Sequence, residues 1–232
     1  MGETTSVTAA GGSFGAYVAR PAVAKAPAVV VIQEIFGVNQ VMRDLTDAYA
    51  AAGYLAICPD LFWRIEPGID ITDKSGAEMK QAFELFGAFD VDKGVKDLGA
   101  TIAHARGDRT CSGPVGSVGY CLGGLLAFLT ATRTDVDAAV AYYGVGIDQR
   151  LREADTLVTP VLLHIAEEDQ FVPKDAQRRI LEALKNRSNA EIFTYPGREH
   201  AFARPGGDHY DATDAARAES RTLSFFRGHL VR

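Results

Sequence analysis

Residues Gly119-Tyr120-Cys121-Leu122-Gly123 set a cysteine between glycines, directly after the apolar run Pro114-Val115-Gly116-Ser117-Val118. A buried structural cysteine does not need a glycine two positions to either side. A nucleophile on a sharp strand-to-helix turn does, because little room is left beside its backbone. The pattern is the G-x-S-x-G nucleophile elbow with cysteine in the serine position. Such a turn also opens a helix, whose unpaired N–H groups and dipole favour a thiolate and a developing oxyanion.

A thiol nucleophile needs a base, and the base needs an acid to orient it. In elbow enzymes the chain order is nucleophile, acid, histidine. Downstream of Cys121, the apolar run Val161–Ile165 leads into Ala166-Glu167-Glu168-Asp169, and the run ending at Tyr195 leads into Gly197-Arg198-Glu199-His200. Glu167, Glu168 and Asp169 compete for the acid. Asp169 is favoured because Asp-Gln-Phe-Val-Pro places it at a loop apex before a helix-starting proline; Glu168 is next. Of the five histidines, His104 falls on a helical pattern, His164 inside an apolar strand and His229 in the tail. His209, in a Gly/Asp loop, is the rival of His200.

The elements that must carry these groups alternate along the chain. Strand patterns cover 12–19, 28–32, 54–58, 115–119, 136–143, 158–165 and 191–195. Helical patterns cover 39–52, 75–87, 90–106, 122–133, 173–185 and 211–229. Short β-branched runs separated by amphipathic helices predict a mostly parallel sheet with helices on both faces. In such a sheet the functional residues follow the carboxyl ends of the strands. Those positions here are Gln33-Glu34-Ile35-Phe36, Gly119–Gly123, Glu167–Asp169 and His200. No repeat, linker or low-complexity tract divides residues 1–232, so one α/β domain is expected.

Five further stretches join the elbow in a specific resemblance. They are Gln33-Glu34-Ile35-Phe36-Gly37-Val38-Asn39, Cys58-Pro59-Asp60-Leu61, Tyr142-Tyr143-Gly144-Val145-Gly146, Asp169-Gln170-Phe171-Val172-Pro173 and His200-Ala201-Phe202-Ala203-Arg204. Together they resemble the dienelactone hydrolases (carboxymethylenebutenolidases) of the α/β-hydrolase superfamily. That family opens a small carboxylated enol lactone to maleylacetate. The resemblance implies Cys121, Asp169 and His200 as the triad, with Glu34 as a carboxylate paired to the resting thiol. It implies the backbone amides of Ile35 and Leu122 as the oxyanion hole. It also implies a substrate-carboxylate clamp of two arginines, of which one matches Arg204. The other position holds Met79; the adjacent Lys80 is turned about 100° away on a helix. Phe83 stands where the family tends to have tyrosine, and Ala201 where serine is common. The halved clamp points to wider acceptance of neutral esters or lactones, with activated phosphotriesters as an extension. Arg64, in the 60–74 loop, is a candidate to restore the charge, and that loop is a candidate cap. Phe36, Phe83, Tyr142 and Phe202 are candidates for the pocket wall, with plain core as the other reading.

The totals bound the partners. The 232 residues carry a net charge of −6, 47 % hydrophobic and 23 % charged residues. This disfavours nucleic acid and an anionic membrane surface as partners. Three cysteines, Cys58, Cys111 and Cys121, have no paired spacing and fit a reducing, cytoplasmic setting. No metal spacing or cofactor motif is visible, so no metal and no cofactor are expected. The expected partner is a small ester or lactone, on a monomer or homodimer. The reading from another class is a non-catalytic binding protein on the same fold.

Overall fold

The structure, a computed structural model, describes residues 2–231. Eight strands form one sheet: β1 (Glu3–Ala9), β2 (Gly12–Ala19), β3 (Ala26–Ile32), β4 (Leu55–Pro59), β5 (Cys111–Tyr120), β6 (Ala138–Tyr142), β7 (Val161–Ala166) and β8 (Ala190–Tyr195). Six helices accompany them: α1 (Gln40–Ala51), α2 (Gly76–Ala88), α3 (Val91–Gly107), α4 (Leu122–Arg133), α5 (Lys174–Leu184) and α6 (Ala212–Leu230). Short 3-10 turns occupy Ile147–Gln149 and Leu151–Thr156.

The strand order is β1-β2-β4-β3-β5-β6-β7-β8. From β4 through β8 every pairing is parallel; β1 and β2 add antiparallel strands at one edge. This is the α/β-hydrolase fold. The central strands are buried along their length, as parallel strands covered on both faces must be. Strand β1, Glu-Thr-Thr-Ser-Val-Thr-Ala, escapes the sequence reading because only Val7 of it is buried. Its edge position leaves one face wet, so no apolar run marks it. Strand β5 starts at Cys111, earlier than expected, because residues 112–114 fall in a register shift against β3 and are not fully buried, so no apolar run marks them.

Alternation along β6 and β7 sorts side chains between two helical layers. Tyr142 and His164 meet Thr222 of α6, whereas Ala141, Leu163 and Ile165 share a buried site with Ile180 of α5. On the α6 face, Tyr49 of α1 and Tyr54 pack edgewise on Phe226. Among the described residues no helix is long and apolar enough to cross a membrane.

Candidate active site

Strand β5 ends at Tyr120 and helix α4 begins at Leu122, so Cys121 must reverse the chain alone. It does so at φ 58°, ψ −115°, a conformation costing on the order of 1–3 kcal/mol for a side-chain-bearing residue. The flanking glycines permit the turn. A Cβ on Gly119 would overlap the Gly123 carbonyl, and one on Gly123 would overlap the carbonyls of Ile32 and Gln33. Four backbone contacts hold the elbow: Cys121 N–H donates to Tyr142 O at 3.1 Å, and Cys121 O accepts from Gly124 at 3.0 Å and from Leu125 and Val145 at 3.3 Å. Leu122, the first residue of α4, leaves its N–H among the orphaned donors of a helix start.

Asp169 and His200 come from the loops after β7 and β8. Asp169 is buried, with Oδ1 accepting the amides of Phe171 at 2.8 Å and Val172 at 3.2 Å. Its other oxygen lies 2.7 Å from His200 Nδ1. The competitors are elsewhere: Glu168 is exposed and pairs with Lys174, and His209 pairs with Glu199. His229 lies exposed on α6 against Phe225, and His104 is half-buried on α3. The His200 ring sits between the edges of Phe171 and Tyr143, with centroids 4.9 and 5.0 Å away. Burial works against an imidazolium here, but the charge of Cys121 and the hydrogen bond to Asp169 outweigh it and raise His200 to about 10.

The cleft over Cys121 is lined by Glu34, Ile35, Phe36, His200, Arg204 and Val145 on one side. Met79, Phe83 and Phe86 of α2, with Phe171, close the other. Helix α2 therefore covers the site; the 60–74 loop expected as a cap instead runs beside it. Its distal part is stitched to the Glu34–Asn39 segment by Val38 N–H to Ile69 O at 3.1 Å and Ile71 N–H to Phe36 O at 3.2 Å. Asn39 caps α1 through its side-chain oxygen and donates to Ile71 O at 2.9 Å. Lys80 points away and pairs with Glu84.

Three further sequence expectations need correction. Tyr142 does not line this cleft: strand alternation turns it to α6, where its hydroxyl meets Thr222 at 2.7 Å and its ring stacks on Tyr120. It floors a separate groove of about 300 Å³ between α1 and α6, which none of Cys121, Asp169 and His200 lines. Of the adjacent pair it is Tyr143, at φ 38°, that faces His200. Phe202 is fully buried against Tyr195 and Tyr143 and does not reach the cleft. Arg64 forks onto buried Asp97 at 2.8 and 2.9 Å and stacks on Trp63, so it supplies no charge to the site.

The residue that sequence reasoning missed is Asp73. Arg204 Nη2 meets its Oδ2 at 2.7 Å, while Nη1 meets Glu34 Oε2 at 3.3 Å. Burial disfavours the guanidinium's charge, yet the two carboxylates hold Arg204 above its ordinary range. Nothing local marks Asp73: it is one acid in a polar loop, and 131 residues separate it from its partner. Glu34 Oε1, Tyr143 Oη and Arg204 Nε are buried without a hydrogen-bond partner. Burial first, and then the charge of Glu34, push the Tyr143 phenol well above its usual range.

Comparison with known proteins agrees with this arrangement. The model of the dienelactone hydrolase family matches residues 14–230. A protein of Azospirillum brasilense with the provisional name carboxymethylenebutenolidase is 52 % identical over 222 residues, covering 94 % of this chain and 95 % of its own. The carboxymethylenebutenolidase of Pseudomonas putida is 42 % identical over 215 residues, covering 93 % and 91 %. A crystal structure from Klebsiella pneumoniae, provisionally titled a dienelactone hydrolase, superposes with a TM-score of 0.87 at 29 % identity, covering 99 % of both chains. Elbow, sheet order and sequence thus converge, and the chain belongs to the dienelactone hydrolase family, as a hydrolase on the α/β-hydrolase fold.

Proposed function

We propose that this chain hydrolyses a small ester or lactone through a Cys121-Asp169-His200 triad and a thioester intermediate. The observation that carries the reading is the 2.7 Å Asp169–His200 contact behind a cleft that His200 and Cys121 both line, with all three residues buried. The Cys121 sulfur attacks the carbonyl carbon, its proton held on His200 Nε2. The carbonyl π pair moves to oxygen, which the Ile35 and Leu122 amides receive. Among the described residues neither amide has a backbone acceptor outside regular elements. Collapse expels the alkoxide or enolate, which takes the His200 proton and leaves the imidazole neutral for the next step. Water, deprotonated by His200, then cleaves the thioester and returns the thiol. Asp169 fixes the Nδ1–H tautomer and stabilises the imidazolium. Glu34 is the resting partner of the thiol in this reading, and its Oε1 is unpaired.

The family substrate, a carboxylated enol lactone, is the first reading. A broader hydrolase of neutral or activated esters is the second, favoured by Met79 in the wall where the resemblance expects an arginine. Mass spectrometry of the acyl adduct tests the mechanism. Quenching during turnover of a 4-nitrophenyl ester should yield one acyl group on the Cys121 peptide and none on Cys58 or Cys111. Turnover by Cys121→Ala at the wild-type rate would refute the triad.

A further inference from the structure

Arg204 is the only guanidinium or ammonium group among the described residues lining the cleft, and its two terminal nitrogens already face carboxylates. The tighter contact is with Asp73, at 2.7 Å. Both side chains are largely buried, at 14 % and 13 % exposure. Asp73 is itself tied down. Its Oδ1 lies 3.4 Å from Lys74 Nζ, which donates to Gly206 O at 2.6 Å. The Asp73-Lys74 strap thus crosses from the 60–74 loop to the turn that carries Arg204.

We propose that Asp73 is a specificity-determining residue: it occupies the anion-binding edge of Arg204, so the site selects uncharged esters or lactones over carboxylated ones. This rests on the Cys121 hydrolase reading above. The charge count inside the cleft supports it, since Glu34 and Asp73 both face the one guanidinium there, while Lys74 lies outside at 57 % exposure. A substrate carboxylate would have to displace Asp73 from its closer, buried cation and leave it part-buried with only the exposed Lys74 beside it, which costs more than a surface pair is worth. An uncharged substrate leaves the pair intact and meets an apolar wall. Phe83 and Phe171, 47 % and 43 % exposed with centroids 6.4 Å apart, form an aromatic mouth suited to an aryl or alkyl group.

The test uses one lactone in two forms, dienelactone with its free carboxylate and the same ring with a carboxamide, each followed by ring opening. Wild-type kcat/KM should favour the carboxamide by about tenfold or more. Asp73→Asn should raise the carboxylate-to-carboxamide ratio by about tenfold, chiefly through KM for the carboxylate, and Asp73→Glu should restore the wild-type ratio. A wild-type preference for the carboxylate overturns the proposal, as does a ratio that moves less than twofold in a folded Asp73→Asn. A second readout needs no variant: phenylacetamide should inhibit the wild type more strongly than phenylacetate, and the reverse order overturns the proposal. Ring opening by Cys121→Ala at the wild-type rate would sink the hydrolase reading itself. An unchanged ratio in a Cys121-dependent enzyme sinks only the role of Asp73.

Discussion

His164 and His200 are both buried, at 1 % and 8 % exposure, and each has its Nδ1 hydrogen-bonded at 2.7 Å. His164 meets only hydroxyls, Tyr195 through Nδ1 and Thr222 through Nε2. Burial, with the charge of Arg221 added, lowers it to about 3. Burial alone would do the same to His200, but Cys121 and Asp169 raise it to about 10. The same ring in similarly dry surroundings thus favours the neutral form on one strand and the protonated form beyond the next. Partners, not depth, decide which. The hydroxyl partners of His164 sit on α6 and β8 within the sheet's packing layer. The charged partners of His200 sit on strand-end loops, where the fold leaves room for a substrate.

The contrast can be broken or sharpened by substitution. The largest effect expected is at Cys121, the proposed nucleophile: Cys121→Ala should lower kcat about ten-thousandfold or more in steady-state ester hydrolysis. Asp169→Asn, which leaves a hydrogen bond but not the charge, should cost about a thousandfold in kcat. It should also bring the His200 titration, followed by NMR, down from its raised value. His164→Leu should show the opposite profile. It strips partners from Tyr195 and from the Tyr142–Thr222 pair, so urea unfolding should lose about 2–3 kcal/mol while kcat/KM stays within about threefold. A thousandfold activity loss in a folded His164→Leu would erase the distinction drawn here.

The smallest effects lie in the pH dependence of stability, and the two rings give opposite signs. Folded His164 binds fewer protons than its unfolded form between about 3 and 6.5, so stability falls as pH drops through that window. Folded His200 binds more protons than its unfolded form between 6.5 and about 10, so its contribution, complete below 6.5, is lost as pH rises through that window. Each limb has a slope of at most about 1.4 kcal/mol per pH unit. His164→Leu should flatten the acid limb only, and Cys121→Ala the alkaline limb only, in unfolding curves taken across pH. Flattening of both limbs by either variant would mean that the two rings are not independent.

Much of the site was legible because its signals are local. The elbow needs glycines within two residues of Cys121, and Asp169 and His200 each follow a short apolar strand directly. The same locality explains the misreadings. Tyr142 and Tyr143 are adjacent, and only the end of β6 and the positive φ of Tyr143 determine which one faces His200. Arg64 could not be assigned without Asp97, 33 residues away and buried by α3. Phe202 reads like a pocket residue because it follows the histidine, yet the turn at Ala201, φ 63°, drives it under Tyr195. The elements themselves followed hydrophobic period, except β1, whose edge position removes the period from the sequence.

The covering of β5 by α6 has a consequence for biosynthesis. Gly116, in the middle of β5, faces Phe226 and Leu230 so closely that a Cβ there would lie 2.8 Å from each. A ribosome that has delivered β5, β6 and β7 therefore holds a sheet whose apolar face is still bare, and residues 167–211 must follow before its cover is begun. Nascent chains of this length fold as units and expose sticky surface until they close. Arrest peptides that stall synthesis before Ala212 should leave the chain protease-sensitive and bound to holdase chaperones, whereas stalling after α6 has emerged should release a resistant, active enzyme. Protease resistance already present before Ala212 would show that the sheet closes without α6.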